Sequence, residues 1–276
     1  MSNRLIGYQS GQGFLYGLSS ASKMIFFILV SVACIATYDP RFILVIGFLS
    51  IYLFKRADIR WKDVSFVVEI IGTVALFNLV MVYLFDPSYG EEIYGAKTVL
   101  VEGWGRFYLT SQELFYLVNL LLKYFSTAPL AILFLMTTHP SQFAASLNQI
   151  GLPYKFAYSV SLTLRYIPDV QEEFFTIRKA QEARGLDLSK KAGLVKRIRG
   201  NLQIVLPLIF SSLERIDTIS TAMELRRFGR YKKRTWYVHK SFTKQDYLVI
   251  LLALLLLGIS IGLILLNQGR FYNPWL

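Results

Sequence analysis

Five runs of apolar residues punctuate the chain, and its charged residues gather between them. Met24–Tyr38 (MIFFILVSVACIATY) and Phe42–Phe54 (FILVIGFLSIYLF) flank a tight turn at Asp39-Pro40-Arg41. Ser65–Phe85, Leu114–Thr137 and Tyr247–Leu266 follow. A helix that crosses a bilayer needs about 20 apolar residues. The last three runs meet that length. The first two fall short and read as a hairpin of spanning helices, lengthened at their ends by neutral residues. The pattern predicts an all-α membrane protein with about five transmembrane helices and a long cytoplasmic region before the last one.

Charge gives the expected orientation, because Lys and Arg concentrate in cytoplasmic connections. The connection Lys55–Lys62 (KRADIRWK) is basic and belongs inside. The loop Asp86–Glu113 carries the acids Asp86, Glu91, Glu92, Glu102 and Glu113 against Lys97 and Arg106, and belongs outside. Between Thr138 and Phe242 eighteen Lys and Arg face eight Asp and Glu, so this long segment is also assigned to the inside. An odd number of spans then leaves the N-terminus inside and the tail beyond Gln268 outside. The expected protein is multi-pass in the cell membrane, with its N-terminus and polar region cytoplasmic. Its domains are 1–137, a membrane domain of about four spans; 138–243, the cytoplasmic helices; and 244–276, the final span and outer tail.

The polar region has an internal order. Pro140 suits a first helical position and Gly151 a stop, which gives a short helix over PSQFAASLNQI. A second helix is predicted from about Tyr154 to Arg184, perturbed near Pro168. Lys190–Arg199 (KKAGLVKRIR) reads as a basic linker. A third helix runs from about Asn201 to Arg227 with Pro207 inside it. On this helix Leu202, Leu206, Ile209, Leu213, Ile216, Ile219 and Met223 recur every three or four residues. That spacing makes an apolar stripe too large to stand free in water.

One short signature occurs twice. Ala180-Gln181-Glu182-Ala183-Arg184 and Ala222-Met223-Glu224-Leu225-Arg226 both read Ala-x-Glu-x-Arg, and both close a predicted long helix. Gly185 follows the first arginine directly, and Gly229 follows the second after Arg227 and Phe228. Arginine at a helix C-terminus complements the carbonyl dipoles, and glycine just beyond allows the left-handed stop. Two well-capped helices with basic ends would account for this much. The spacing, however, also fits two parallel or crossing helices of one unit. Arginine offers five rigid donors to an acidic or carbonyl-lined pocket, so two such tips suit two similar sockets.

Composition sharpens the picture. Hydrophobic residues make up 54% of the 276, yet the formal net charge is +12. Such a surplus points first to a membrane's inner face, and the chain has no recognisable nucleic-acid-binding module. Lys232-Lys233-Arg234, just before Trp236 and Tyr237, reads as an anchor to anionic membrane lipid. Cys34 is the single cysteine, so no intramolecular disulfide is possible. His139 and His239 stand far apart without companion ligands, and no metal-ligand spacing or cofactor is implied. The N-terminal stretch lacks the compact apolar run and cleavage site of a signal peptide. Lys123 and Asn78 lie inside the fourth and third apolar runs, roughly 10–14 Å below the outer surface by helix rise. Polar groups at that depth are candidates for a helix–helix contact or for contact with a partner. Asp169, Glu172 and Glu173 form no arrangement that argues for catalysis, and no catalytic residue is assigned.

The stretch LNQIGLPYKFAYSVSLTLRYIPDVQEEFFTIRKAQEARGL, with the later AMELRRFG, resembles the energy-coupling transmembrane T component of ECF-type (energy-coupling factor) ABC importers. The resemblance implies membrane helices, then coupling helices in the cytoplasm, then a last membrane helix. It also implies two short X-Arg-X motifs that dock in grooves of two ABC ATPase subunits. The matching positions are Ala183-Arg184-Gly185 and Leu225-Arg226-Arg227, the second departing from the common pattern in having Arg227 where glycine is usual. A small membrane substrate-binding S component would complete the importer, with Asn78 and Lys123 as candidate contacts, and would carry a vitamin or similar micronutrient. The chain has no GxxxxGK[ST] loop, so ATP hydrolysis is expected in the partners and not here. The alternatives are a self-sufficient membrane carrier binding its own solute near Lys123 and Asn78, and a lipid-modifying membrane enzyme.

Overall fold

A computed structural model of the chain describes residues 11, 13–101, 107–186, 193–231, 235–238 and 240–275, with 194–197 as backbone only. Glu102, Arg106, Lys190, Lys232-Lys233-Arg234 and His239 therefore lie outside the described residues, as does the N-terminal stretch 1–10. The contacts divide the chain into two compact units, residues 1–139 with 240–276, and residues 140–239.

In the first unit a single turn, α1 (Phe14–Gly17), precedes α2 (Ser20–Ala36), α3 (Pro40–Arg56) and α4 (Trp61–Phe85). A short helix α5 (Tyr89–Tyr94) and a two-stranded ribbon, β1 (Val99–Val101) with β2 (Leu109–Thr110), lead into α6 (Ser111–Thr137). The unit resumes after 240 with a long helix, Lys244–Leu266. Between them the second unit holds α7 (Pro140–Gln149), α8 (Tyr154–Ala183) and α9 (Leu194–Leu225), which makes the Lys244–Leu266 helix α10. Three helices, α4, α6 and α10, are long and apolar enough to cross a membrane, and α2 is a shorter apolar helix of 17 residues. This is an all-α membrane protein.

Both members of the predicted hairpin are longer than their apolar runs. Pro40 is not the middle of a turn but the first residue of α3, where its fixed φ and missing N–H do no harm. Asp39 is the N-cap, accepting from the Arg41 N–H at 3.0 Å. Successive long helices alternate in direction around α6. Ser126 Oγ donates to the Ile43 carbonyl at 2.7 Å, and a Cβ on Gly47 would lie 3.1 Å from the same hydroxyl, so α3 and α6 touch nearly backbone to backbone. Small residues at such crossings are how membrane helices approach closely. The buried centre comprises Val30, Ala33 and Cys34 of α2, Ile46 of α3, Leu130 of α6 and Ala253 of α10.

At one end of this bundle a single carboxylate ties two helix starts. Asp246 Oδ1 accepts from the Ser19 N–H (2.7 Å) and Ser22 Oγ (2.5 Å), while Oδ2 accepts from the Thr243 N–H and hydroxyl (2.7 Å each). The four donors satisfy orphan groups at the N-termini of both α2 and α10. Beside it Lys23 Nζ donates to the Thr137 carbonyl at the end of α6 (2.6 Å). The chain thus leaves the bundle after α6 and re-enters at α10 at the same end.

At the other end the tail after α10 folds back. The Tyr38 N–H donates to the Arg270 carbonyl, Asn267 Nδ2 to Asp39 Oδ2, and Asn273 Nδ2 to the Tyr94 carbonyl. Rings of Tyr38 and Phe271 pack 4.5 Å apart, and Trp275 lies on Tyr94 and Phe115. Glu113, counted by sequence among the loop acids, instead opens α6; it is buried and accepts the Gly90 N–H at 2.7 Å.

Burial of Asp39 opposes its charge, but hydrogen bonds from Arg41 and Asn267 outweigh it and hold the carboxyl below its ordinary value. A depressed folded value means stability that is present above the ordinary aspartate value, about 3.9, and lost as pH falls through the folded value. The stability difference between wild type and Asp39→Asn, read by thermal unfolding in detergent, should therefore shrink as pH drops below that value.

Candidate functional site

The second unit carries the repeated signature, and both copies end their helices in one geometry. Arg184 is the C-cap of α8 and Arg226 the C-cap of α9. After α8, the Gly185 N–H reaches the Glu182 carbonyl (3.0 Å) and the Leu186 N–H reaches Gln181 (3.0 Å). After α9, the Arg227 N–H reaches Glu224 (2.8 Å) and the Phe228 N–H reaches Met223 (2.9 Å). These are the paired hydrogen bonds of a Schellman stop, which requires a left-handed residue just past the cap. Gly185 has φ +88° and Arg227 has φ +52°.

Gly229 is therefore not the second stop, as its sequence position suggests. It comes two residues late, and Arg227 takes the left-handed place itself. Held there, a residue with a Cβ loses about 1–2 kcal/mol relative to glycine. Phe228 makes the conformation tolerable by packing its ring 4.7 Å from Tyr158 and 5.4 Å from Tyr154 at the start of α8. Arg227→Gly should accordingly raise the thermal midpoint, by about 1 kcal/mol in stability, and Gly185→Ala should lower it by a similar amount. Calorimetry or dye-monitored unfolding of the two variants checks both signs.

The α8–α9 pair runs antiparallel, not parallel. Glu173 accepts from Arg215 Nη2 at 2.6 Å and from the Ser211 hydroxyl, and the Arg215 guanidinium lies 5.9 Å from the Tyr166 ring. Toward lower numbers in α8, Tyr158 meets Phe228. Trp236 Nε1 then donates to Asn148 Oδ1 (3.1 Å) at the end of α7, and Tyr237 is exposed. Because Phe228 sits beside Tyr158, Arg226 lies close to the start of α8, and Arg184 lies at its other end. Twenty-six residues of helix separate Tyr158 from Arg184, about 40 Å at 1.5 Å per residue.

Both tips are presented outward. Ala183, Arg184, Gly185, Arg226 and Arg227 are all exposed, and Leu225 is 80% exposed beside Arg226. The Arg184 side chain makes no hydrogen bond or ion pair among the described residues. Glu182 is held one turn back by Arg178 (2.9 Å). Apolar surface is exposed along the same pair, including Phe175 of α8 and Leu202, Leu206, Ile209, Phe210 and Leu213 of α9.

The predicted pair in the membrane behaves differently. Lys123 is half-buried; its Nζ donates to the Ile35 carbonyl (2.9 Å) in the last turn of α2 and lies 3.1 Å from the centre of the Tyr38 ring. A cation placed there complements the helix C-terminus. Asn78 is half-buried on α4 and makes no hydrogen bond among the described residues. No described bond joins the two. Of the acids, Asp169, Glu172 and Glu173 line an open depression with Tyr166, Thr176 and Arg215, and Glu173 is matched there by Arg215.

Sequence reading missed the start of α9, at Leu194 and not Asn201, and the Glu173–Arg215 contact that joins the two helices. The role of Phe228 was also missed. Its signal was available: aligned forty-two residues apart, Leu186 and Phe228 are both apolar and both follow the left-handed position.

A helical membrane bundle, with a unit of long arginine-capped helices inserted before its last spanning helix, defines the class. The profile of the CbiQ family, described as a cobalt transport protein, matches residues 12–237, and the chain belongs to that family. It is similar over nearly its whole length to proteins named energy-coupling factor transporter transmembrane protein EcfT. The protein of Exiguobacterium sibiricum is 28% identical over 273 residues, covering 95% of this chain and 97% of the relative. That of Brevibacillus brevis is 28% identical over 267 residues, with 93% and 96% covered. That of Lactococcus lactis subsp. cremoris is 24% identical over 259 residues, with 91% and 94% covered.

Proposed function

We propose that this chain is the transmembrane scaffold of an energy-coupling factor importer. In this reading it links ATP hydrolysis by two cytoplasmic ABC ATPase subunits to reorientation of a small S component that delivers a vitamin or similar micronutrient. The observation that carries it is the duplicated helix end: one stop geometry, used twice, with an arginine at each C-cap and the two ends about 40 Å apart. One ATPase groove would receive Ala183-Arg184-Gly185 and the other Leu225-Arg226-Arg227. Arginine is a residue type enriched among interface anchors, and Leu225 exposes apolar surface directly beside Arg226.

Motion of the grooves would then act on the ends of two stiff helices locked at Glu173 and Arg215. The region 138–243 is cytoplasmic in this reading, as is the N-terminus. The apolar surface of α8 and α9 supports a membrane-embedded partner lying against them. On α4, Asn78 is the better S-component contact, since Lys123 already engages α2. A self-sufficient carrier would need Lys123 free for its solute, which its bond to Ile35 disfavours.

Co-expression with candidate ATPases and an S component tests the proposal. The scaffold predicts that both ATPases co-purify with the chain, and that uptake into proteoliposomes stops when ATP hydrolysis is blocked. Uptake by the chain alone would favour the carrier.

A further inference from the structure

Between α3, α4 and α6 lies a cavity of about 700 Å³ that the coupling site does not use. Its walls are apolar: Phe54 from α3, Ile71 and Gly72 from α4, Leu121 and Ile132 from α6. Helix α4 leans on α6 and buries only Val64 and Ala75, so the space opens sideways between α3 and two helices long and apolar enough to cross a membrane. Water has no polar partners on such walls, and hydrocarbon is the surrounding solvent.

Depth and charge specify the occupant. Along α6 the cavity extends from Ile132 to Leu121, eleven residues or about 16 Å. One leaflet of a bilayer is about half of the ~30 Å hydrocarbon core. At the membrane-surface end the mouth is formed by Lys55, Asp58 and Trp61, with Trp61 63% exposed where interfacial tryptophans sit. Of the neighbouring cations, Arg60 pairs with Asp63 at 2.9 Å and Arg56 donates to the Tyr52 hydroxyl, while Lys62 is exposed and does not line the groove. Lys55 is exposed and makes no ion pair among the described residues. Asp58, the acid on this rim, makes none with it either.

We propose that this groove binds one glycerophospholipid, its acyl chain lying between α3, α4 and α6, its phosphate on Lys55, and a hydroxyl-bearing headgroup on Asp58. The site needs only a bundle that spans a bilayer, so it stands apart from the ATPase reading. A lipid wedged there keeps α4 from closing onto α3.

The test places the full chain in nanodiscs of equal phosphatidylglycerol and phosphatidylcholine, extracts it in mild detergent and counts retained lipid by native mass spectrometry. One phosphatidylglycerol per wild-type chain is expected. Gly72→Phe should reduce it at least tenfold, because a Cβ at Gly72 meets nothing within 4 Å and the ring has room in the groove. Ala128→Phe fills the same space from α6 and serves if the first variant does not fold. Lys55→Gln should reduce retention about fivefold, the share of one basic residue near an anionic headgroup. Gly258→Phe on α10, also in open space, should change nothing. Equal retention of phosphatidylcholine, an unchanged count in both filled variants, or an equal loss in Gly258→Phe would overturn the site. So would efficient cross-linking of Gly72→Cys to a companion membrane protein in the assembled transporter, which would make the occupant a helix.

Discussion

Replacing Arg184 and Arg226 together by alanine is expected to abolish ATP-dependent uptake and to release both ATPases, with the chain still folded. Interface arginines that fill a pocket commonly contribute about 2 kcal/mol or more, roughly thirtyfold in affinity each. The two sites lie about 40 Å apart, so their effects should add. Each single variant has a distinct signature. Losing one tip removes one docking site and leaves the other, so Arg184→Ala or Arg226→Ala should hold an ATPase pair weakly, through one subunit only. The folded state should barely notice, because both side chains are exposed and each contributes roughly 0.3–1 kcal/mol to its helix end. ATPase stoichiometry by native mass spectrometry, alongside uptake, separates the three variants.

The second large effect is structural. Asp246→Ala should destabilise the membrane bundle by about 1–4 kcal/mol, since one buried carboxylate caps two helices and each lost cap costs about 0.5–2 kcal/mol. The donors left behind, the Ser19 and Thr243 N–H groups, would lie near the bundle end with no acceptor of equal reach. Asp246→Asn keeps one carbonyl oxygen and should fall between the two. Thermal unfolding in detergent gives the order wild type, Asn, Ala. If Ala and wild type unfold together, the convergence of α2 and α10 on Asp246 does not hold the bundle.

What could be read from residue order follows the range of the interaction involved. Helix α8 was legible nearly to the residue, because Pro153 starts it and a left-handed glycine stops it, both local signals. The start of α9 was not. Basic residues at Lys196, Arg197 and Arg199 make that turn look like a linker, and the helix there depends on context beyond a local window. The first span reads short because Ser20 and Ser22 are polar, yet Ser22 is held in α2 by Asp246, more than two hundred residues away. Of the candidate site, the arginines and their shared register were visible. The antiparallel pairing was not, since it rests on Glu173 meeting Arg215 and on Phe228 reaching back to Tyr154 and Tyr158. Arg227 misled for a physical reason: a left-handed arginine is uncommon, and glycine two residues on is the usual sign of a stop.

The most direct test of two grips on two subunits is positional. Cysteines placed at Ala183 and Leu225, singly and together, can be cross-linked in the assembled transporter; the native Cys34 is fully buried and stays silent. Each single variant should join the chain to one ATPase molecule, and the double variant should yield one chain bearing two. A double variant that captures a single ATPase, or none, would contradict the account.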